Sequence, residues 1–291
     1  MQVGVIGLGS MGGGMAGAAA RAGLQVRGYD VRPTTIDGVT PAASAHDVAE
    51  GADILLVMVV NAQQLEDSLF GAGGALSGLP KGAVVIASAT IPASDAERIG
   101  KRVEEAGHLF LDAPVSGGAA RAADGELTFM ASGSEEAFAK AAPLLDACAA
   151  KVFRLGPTIG TGSTVKTVHQ LLAGVHIAAA AEAMALGVRA GADARELFEV
   201  ICNAAGRSWM FENRVPHMLD RDFAPRSAVE IFVKDLGLVL DTGRHLRFPL
   251  PIAASAHQQF LAAAAAGFGQ EDDAAVVKVY EKLAGIEVDG R

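Results

Sequence analysis

Apolar and polar residues alternate along the first half of the chain in a way that predicts strands and helices in turn. Short runs of β-branched and aliphatic residues predict strands at residues 2–6, 24–29, 53–60, 83–87, 108–111 and 128–131. Helices are predicted between them, most clearly at residues 15–22 and 93–106. Strands that alternate with helices favour right-handed crossovers and a parallel sheet. The pattern predicts an α/β domain with a Rossmann-type doubly wound sheet over residues 1–162.

The pattern changes after residue 162, where only helices are predicted. Residues from Ser163 to about Ala190 contain no proline and favour a single helix, much longer than the usual length of roughly 11–12 residues. Later helices are predicted to break at glycines and prolines, namely Gly191, Gly206, Pro216, Pro225 and the Pro249–Pro251 pair. We therefore predict an all-helical C-terminal domain over residues 163–291, begun by a long interdomain helix.

A glycine motif follows the first predicted strand. Residues 7–12 (GLGSMG) match G-x-G-x-x-G directly after a strand and directly before a helix. Glycines in that motif allow a tight turn, let a pyrophosphate approach the backbone and let helix and strand pack closely. A flexible turn gives the same hexapeptide, so its position is what favours a dinucleotide site. The predicted cofactor-binding residues are Gly7, Leu8, Gly9, Ser10, Met11 and Gly12.

An acidic residue, Asp30, ends the second predicted strand, roughly 20 residues after the glycine motif. A carboxylate at this position accepts hydrogen bonds from the adenosine ribose and repels a 2′-phosphate. It therefore favours NAD over NADP as the cofactor, although the nearby Arg32 would oppose that preference.

Two later strands end at residues that fit the same ligand. Val60 and Asn61 follow one strand, and Thr90 follows the next. Ligands of open α/β sheets bind outside the carboxyl ends of the strands, so we predict that these residues contact the cofactor. The alternative interpretation is that Asn61 and Thr90 cap helices, which does not exclude cofactor contact.

Candidate substrate-binding and catalytic residues lie further along the chain. Residues 112–118 (DAPVSGG) place Ser116, Gly117 and Gly118 where backbone donors suit a carboxylate or hydroxyl, unless the segment is only a turn. Lys166 lies near the start of the long helix, with His169 and Gln170 one turn later. A lysine beside a nicotinamide can exchange a proton with the reacting oxygen. Taken alone, however, it reads more simply as a solvated helix residue.

Composition excludes several classes of protein. The formal net charge of −9 argues against a nucleic-acid partner held by a basic surface. Two cysteines, far apart, fit a reducing compartment and no disulfide scaffold. We expect no membrane partner, because no apolar run is predicted to be long enough to span a bilayer. We also expect no metal, because a chain of this length buries a sizeable core without one. The expectation is a cytoplasmic protein with a small-molecule substrate.

Four motifs resemble those of the β-hydroxyacid dehydrogenases and occur in the same order: GLGSMGGGMA at the N-terminus, DAPVSGG at 112–118, GTGSTVK at 160–166 and KDLGL at 234–238. The resemblance implies a Rossmann domain followed by an all-helical domain for substrate binding and assembly, usually as a homodimer or homotetramer. It also implies that Lys166 is the catalytic residue, that Ser116 to Gly118 form the substrate loop, and that Thr90 and Lys234 contact the cofactor.

The chain departs from the commonest family pattern just after this lysine. Many members continue with x-x-Asn-Asn, where this chain has His169 and Gln170. The stretches KTVHQLLAGVHIAAAAEAMALG, NAAGRSWMFENR and PRSAVEIFVKDLGL resemble the L-threonate dehydrogenase branch. That resemblance implies NAD-dependent oxidation of the C2 hydroxyl to 2-dehydro-L-erythronate, with Lys166 as general acid/base and His169 as a rival base. The polar partners that a polyhydroxy acid needs are assigned to His169, Gln170, Ser208 and Asn213.

Other functions stay open on the sequence. Tartronate semialdehyde reductase or 3-hydroxyisobutyrate dehydrogenase activity would use the same residues. An imine reductase shares the architecture but typically lacks the lysine, so Lys166 counts against it. A non-catalytic NAD-sensing module is the alternative from another class. The neighbouring Trp209, Met210 and Phe211 are interpreted as core residues rather than substrate contacts.

Overall fold

The structure, a computed structural model, describes residues 1–290 and divides into two compact units. The first is Met1–Thr167, and the second begins at Val168. The division falls inside one long helix, a few residues after the boundary predicted from the sequence at 162–163.

The first unit is built on one twisted sheet. Within residues 1–290 its strands are β1 (Gln2–Ile6), β2 (Gln25–Tyr29), β3 (Val39–Pro41), β4 (Ile54–Val57), β5 (Val84–Ala87), β6 (Leu109–Asp112), β7 (Val115–Ser116), β8 (Leu127–Gly133) and β9 (Ala149–Arg154). The order is β3-β2-β1-β4-β5-β6-β8-β7, and β9 pairs with β8. Strands β1 to β6 pair with their neighbours in parallel. Strand β8 runs antiparallel to β6 and β7. The predicted Rossmann-type sheet is confirmed, and β3, β7 and β9 are additional to the predicted strands.

Helices cover both faces of this sheet. They are α1 (Ser10–Arg21), α2 (Ala45–Ala49), α3 (Ala62–Phe70), α4 (Ala93–Glu105), α5 (Gly118–Asp124) and α6 (Glu135–Cys148). One core contains Val5, Ile54 and Ile86 with residues of α1, α5 and α6, and the other contains Leu55 and Val85 with residues of α2, α3 and α4. Because residues along a strand point alternately to opposite faces, the same strands supply both cores. This burial on both faces explains the continuous apolar runs in the sequence.

The second unit is helical. Its chain comprises most of α7 (Thr161–Arg189), followed by α8 (Ala194–Cys202), α9 (Trp209–Leu219), α10 (Val229–Leu246), α11 (Pro251–Ala263) and α12 (Val277–Ala284). The predicted long helix is therefore present. The predicted break at Pro216 is wrong, because Pro216 lies inside α9. It stands near the C-terminal end of that helix.

Helix α7 also corrects an expectation about apolar segments. By length and composition alone it is able to cross a membrane, so the prediction that no run is long enough is wrong. In the structure, Ile177, Ala181 and Met184 are buried in the core of the second unit. Part of the apolar surface of α7 is thus used in packing, whereas Val168, Leu172 and Leu186 of the same helix are exposed.

Candidate active site

The glycine turn between β1 and α1 has three glycines with different surroundings. Gly7 has a φ of +88°, and a Cβ there would lie 2.2 Å from the Met58 carbonyl oxygen. A Cβ on Gly12 would lie 1.9 Å from the Gly7 carbonyl oxygen. A Cβ on Gly9, by contrast, would meet no heavy atom within 4 Å. Gly7 and Gly12 are required by backbone packing, whereas Gly9 leaves open space in front of the first N–H groups of α1.

Asp30 is fixed against this turn. Its carboxylate accepts a hydrogen bond from the Leu8 backbone N–H at 2.7 Å and another from the Arg32 N–H at 2.9 Å. The Arg32 side chain is 81% exposed, and its Nε lies 3.9 Å from an Asp30 oxygen. An ion pair so exposed to water is weak. The turn and the acidic residue predicted to bind one cofactor are therefore neighbours.

The next two predicted cofactor residues differ in their local role. Asn61 is the N-cap of α3, with its Oδ1 accepting the Gln64 backbone N–H at 2.9 Å, and the Val60 N–H donates to the Gln64 side chain. Thr90 follows β5 but is not a cap, since α4 begins at Ala93. The capping interpretation therefore holds for Asn61 alone. Asn61 follows β4, which pairs in parallel with β1, and Thr90 follows β5, which pairs in parallel with β4, so both lie on the sheet edge that carries the glycine turn.

A buried carboxylate caps the helix that carries Lys166. Asp112, at the end of β6, accepts hydrogen bonds from the Ser163 N–H (2.8 Å), the Ser163 hydroxyl (2.7 Å) and the Gly160 N–H (3.1 Å). Burial raises the pKa of Asp112, and these hydrogen bonds oppose that rise. Asp112 is part of the DAPVSGG motif, but no role is predicted for it from the sequence. The signal available was an acidic residue at a strand end, ahead of a helix with no acidic residue in its first turn.

Lys166 is buried, at 6% exposure, and its Nζ donates a hydrogen bond to the Val115 carbonyl oxygen at 2.8 Å. The interpretation of Lys166 as a solvated helix residue is therefore wrong. Val115 directly precedes Ser116, which ends β7, and the chain then turns through Gly117 (φ +143°) and Gly118 (φ +76°). Positive φ values of this kind favour glycine. The structure thus places Lys166 against the 112–118 loop.

The second unit holds its own polar cluster. His169 Nδ1 lies 2.9 Å from Gln170 Oε1, and Gln170 Nε2 donates to Asp235 Oδ2 at 2.5 Å. The other Asp235 oxygen lies 2.6 Å from Lys234 Nζ. Asp235 is only 2% exposed. The structure therefore joins three predicted site residues through Asp235, which sequence reasoning passed over although it stands in the KDLGL motif.

The remaining polar candidates serve local structure. Ser208 caps α9 by accepting the Phe211 N–H at 3.1 Å, and the Asn213 side chain accepts from Arg214. Phe211 is buried as expected, whereas Trp209 is half exposed and so is not the core residue that the sequence suggested. Among residues 1–290, the His, Cys, Asp and Glu side chains form no group of three or more that could hold a metal ion.

Both halves of the chain match models of known protein families. Residues 2–156 match the family model for the NAD-binding domain of 6-phosphogluconate dehydrogenase, and residues 160–280 match the model described as NAD-binding of NADP-dependent 3-hydroxyisobutyrate dehydrogenase.

Full-length relatives agree with these matches. An L-threonate dehydrogenase of Cupriavidus necator is 56% identical, covering 100% of this chain and 98% of its own. That of Escherichia coli K12 is 51% identical, covering 97% and 95%. A solved structure from Salmonella typhimurium, described as 3-hydroxyisobutyrate dehydrogenase, is 52% identical with a TM-score of 0.90, covering 96% and 99%.

Proposed function

We propose that this chain, which belongs to the family of 3-hydroxyisobutyrate dehydrogenase-like oxidoreductases, oxidises the C2 hydroxyl of L-threonate with NAD to give 2-dehydro-L-erythronate. The chain is a hydroxyacid oxidoreductase that uses a nicotinamide dinucleotide. The observation that carries the choice of substrate is its identity of 50–56%, over nearly its full length, to five L-threonate dehydrogenases.

The glycine turn fits the proposed cofactor. Gly9 leaves space where a side chain would stand, and α1 offers its unpaired N–H groups to the pyrophosphate. The Asp30 carboxylate, held at that turn by the Leu8 N–H, would accept the ribose hydroxyls and repel a 2′-phosphate. Val60, Asn61 and Thr90 would line the same sheet edge. These features support NAD rather than NADP.

Lys166 is assigned the proton transfer. A nicotinamide bound at this edge of the sheet would supply the acceptor for a hydride from C2 of the substrate. Lys166, as the neutral amine, takes the hydroxyl proton and becomes the ammonium, so the C2–O single bond becomes a carbonyl and charge balances. The hydrogen bond to Val115 fixes the position of Nζ next to Ser116.

The substrate would be held at its two ends by different residues. The loop of Ser116, Gly117 and Gly118 offers backbone donors to the carboxylate. His169 and Gln170 lie three and four residues after Lys166, on the same side of α7, and would meet the hydroxyls further along the carbon chain. Lys234, paired with Asp235, would complete the cofactor contacts.

Assembly and location follow the family expectation. We propose a homodimer or homotetramer in the cytoplasm. Exposed apolar side chains on the second unit, among them Leu186, Val200 and Trp209, would suit contacts between subunits. Sedimentation of the purified protein tests this directly.

A substrate panel tests the function. The protein is assayed with NAD against L-threonate and 3-hydroxyisobutyrate, with NADH against tartronate semialdehyde, and again with NADP or NADPH. We expect L-threonate with NAD to give the highest kcat/KM. A preference for 3-hydroxyisobutyrate, the activity in the description of the Salmonella structure, would replace our choice of substrate. Cofactor binding without any change in nicotinamide absorbance across the panel would instead support an NAD-sensing module.

A further inference from the structure

We propose that the first unit carries a second binding site, which takes a small hydroxycarboxylate at the edge of the sheet opposite the glycine turn. The site is a surface cavity of about 420 Å³, lined by Lys81, Arg102 and His108 together with apolar side chains. The carboxylate would meet Lys81 and Arg102, and the hydroxyl would meet His108 Nδ1. These residues lie outside the proposed active site, so the ligand is independent of the substrate assigned there.

The cavity lies at the amino ends of two neighbouring strands. Lys81 shortly precedes β5, and His108 directly precedes β6. The two strands pair in parallel, with Val84 opposite Leu109. Parallel strands begin at one edge of a sheet and end at the other, where the glycine turn and Thr90 are found. A ligand in the cavity therefore does not compete with the dinucleotide for space.

His108 has a buried polar atom that the protein itself does not satisfy. The residue is 5% exposed, and its Nδ1 has no hydrogen-bond partner within residues 1–290. An unpaired buried polar atom is costly, so a ligand that pairs with it gains affinity.

The protonation state of His108 favours a hydroxyl as that partner. Burial lowers the pKa of His108, the charge of Lys81 lowers it further, and the Pro80 backbone opposes them, so the imidazole is largely neutral at pH 7. A hydroxyl both donates and accepts, so it pairs with Nδ1 in either neutral tautomer. A carboxylate only accepts, so it pairs with Nδ1 only when that atom carries a proton.

Lys81 supplies the positive charge. Its exposed side chain lies across the turn before β6, where a Cβ on Gly107 would stand 3.2 Å from Lys81 Cδ. Its Nζ donates to the Ala106 carbonyl oxygen, which leaves its other N–H groups for a ligand. Because this partner is a backbone carbonyl, no carboxylate within residues 1–290 balances the ammonium charge. A singly charged carboxylate would balance it, whereas a doubly charged phosphate would add excess negative charge.

Arg102 is held in place at the cavity. Its Cζ lies 3.7 Å from the centroid of the Phe70 ring, and one of its N–H groups donates to Glu66 at 2.6 Å. A guanidinium has five N–H donors, so others can reach a ligand carboxylate. Leu69, Phe70 and Leu76 give the cavity an apolar part, which suits a short carbon chain.

Matched acids test the site in the NADH-bound protein. The probes are 2-hydroxybutyrate and 3-hydroxybutyrate, each as both enantiomers, with butyrate and inorganic phosphate. Hydroxyacids cannot be oxidised by NADH, so no turnover disturbs the titration. The backbone amide NMR signal of Gly107, next to His108, reports binding in the cavity. We expect at least one hydroxybutyrate to bind about tenfold more tightly than butyrate, the gain of one hydrogen bond to a buried atom.

Two variants separate the two contacts. Lys81→Met should weaken hydroxybutyrate and butyrate alike by about tenfold, because both lose a charged donor. His108→Phe keeps a ring without nitrogen, so the two acids should then bind equally. The matched control is Lys101→Met, which removes an exposed lysine of α4, 3.8 Å from Glu105 and outside the cavity, and should bind as wild type does. Turnover should be unchanged in all three.

Several results would overturn the site or its ligand. If no acid shifts the Gly107 signal at millimolar concentration, the cavity is not a binding site. If butyrate binds wild type as tightly as every hydroxybutyrate, His108 does not select a hydroxyl, whether or not His108→Phe folds. Tighter binding of inorganic phosphate would replace the carboxylate as the ligand. Equal weakening in Lys81→Met and Lys101→Met would show a general effect of charge instead of a contact.

Discussion

The Asp112 carboxylate accepts hydrogen bonds from both the backbone N–H and the hydroxyl of Ser163, at 2.8 Å and 2.7 Å. These bonds tie the end of β6 to the start of α7, three residues before Lys166. There is little room to adjust, because a Cβ on Gly162 would lie 2.6 Å from the Asp112 carbonyl oxygen. The position of Lys166, the proposed proton acceptor, therefore depends on Asp112.

Asp112→Ala should lower both stability and turnover. The change leaves the buried N–H groups of Gly160 and Ser163 without their acceptor, at a cost of about 1–3 kcal/mol for each. Asp112→Asn should cost much less, because its oxygen can accept from both N–H groups while its NH2 donates to the Ser163 hydroxyl. Thermal unfolding and kcat, measured for both variants, test this order. An Asn variant as damaged as the Ala variant would contradict the capping role.

Lys166→Ala should lose nearly all turnover while NAD binding persists. Removing a general acid/base typically costs about 10²–10⁴ in rate. His169→Ala should keep measurable turnover and mainly raise KM for L-threonate. Single-turnover kinetics for chemistry and fluorescence titration for NAD separate the two effects. An inactive His169→Ala beside a nearly normal Lys166→Ala would reverse the assignment of the base.

Gly9→Ala and Gly12→Ala should fail for different reasons. The Gly12 Cβ would fall 1.9 Å from the Gly7 carbonyl oxygen, so α1 and β1 would have to separate and the fold would be strongly destabilised. The Gly9 Cβ meets nothing within 4 Å, so that variant should unfold within a few degrees of wild type. Its NAD affinity should nevertheless fall by about tenfold or more, because the methyl group occupies the path of the pyrophosphate. Wild-type affinity in Gly9→Ala would place the pyrophosphate elsewhere.

Arg214→Met should destabilise the second unit in a pH-dependent way. Arg214 forms two hydrogen bonds, at 2.5 Å and 3.0 Å, to the fully buried Asp273. Burial raises the pKa of Asp273 to about 6, and Arg214 opposes this rise. Removing one partner of such a pair typically costs about 3–5 kcal/mol. Without Arg214 the pKa rises further, so the folded state favours the protonated acid and loses stability as the pH rises above about 4.

The difference in unfolding midpoint between wild type and Arg214→Met should accordingly be larger at pH 8 than at pH 5. Taking the difference cancels the titration of groups that do not interact with Arg214 or Asp273. The double variant Arg214→Met, Asp273→Asn should lose most of this pH dependence. A difference that does not change with pH would show that Asp273 stays ionised without its partner.

Much of the fold was predictable because its signals are local. The central strands are buried on both faces and show as apolar runs, and the glycine turn is required by backbone contacts at Gly7 and Gly12. The strands that were missed, β3, β7 and β9, are short or largely exposed, so no apolar pattern marks them. The break predicted at Pro216 was wrong because a proline in the sequence does not show whether a helix accommodates it near its end.

The site was predictable as a set of residues and not as a network. Lys166, His169 and Gln170 stand out by type and spacing on one helix. Asp112 and Asp235 act through hydrogen bonds that span 51 and 65 residues of sequence, to Ser163 and Gln170 respectively. Such pairings depend on tertiary packing, which a single sequence does not display.

The course of α7 limits how this enzyme can be recombined with its relatives. The division between the two units falls between Thr167 and Val168, after Lys166 and before His169 and Gln170. A hybrid joined at that division would take its proposed proton acceptor from one parent and its proposed hydroxyl-binding side chains from the other. Asp112 would then come with the first parent and Asp235 with the second. Exchanges intended to transfer substrate preference should therefore carry residues 169, 170, 234 and 235 together.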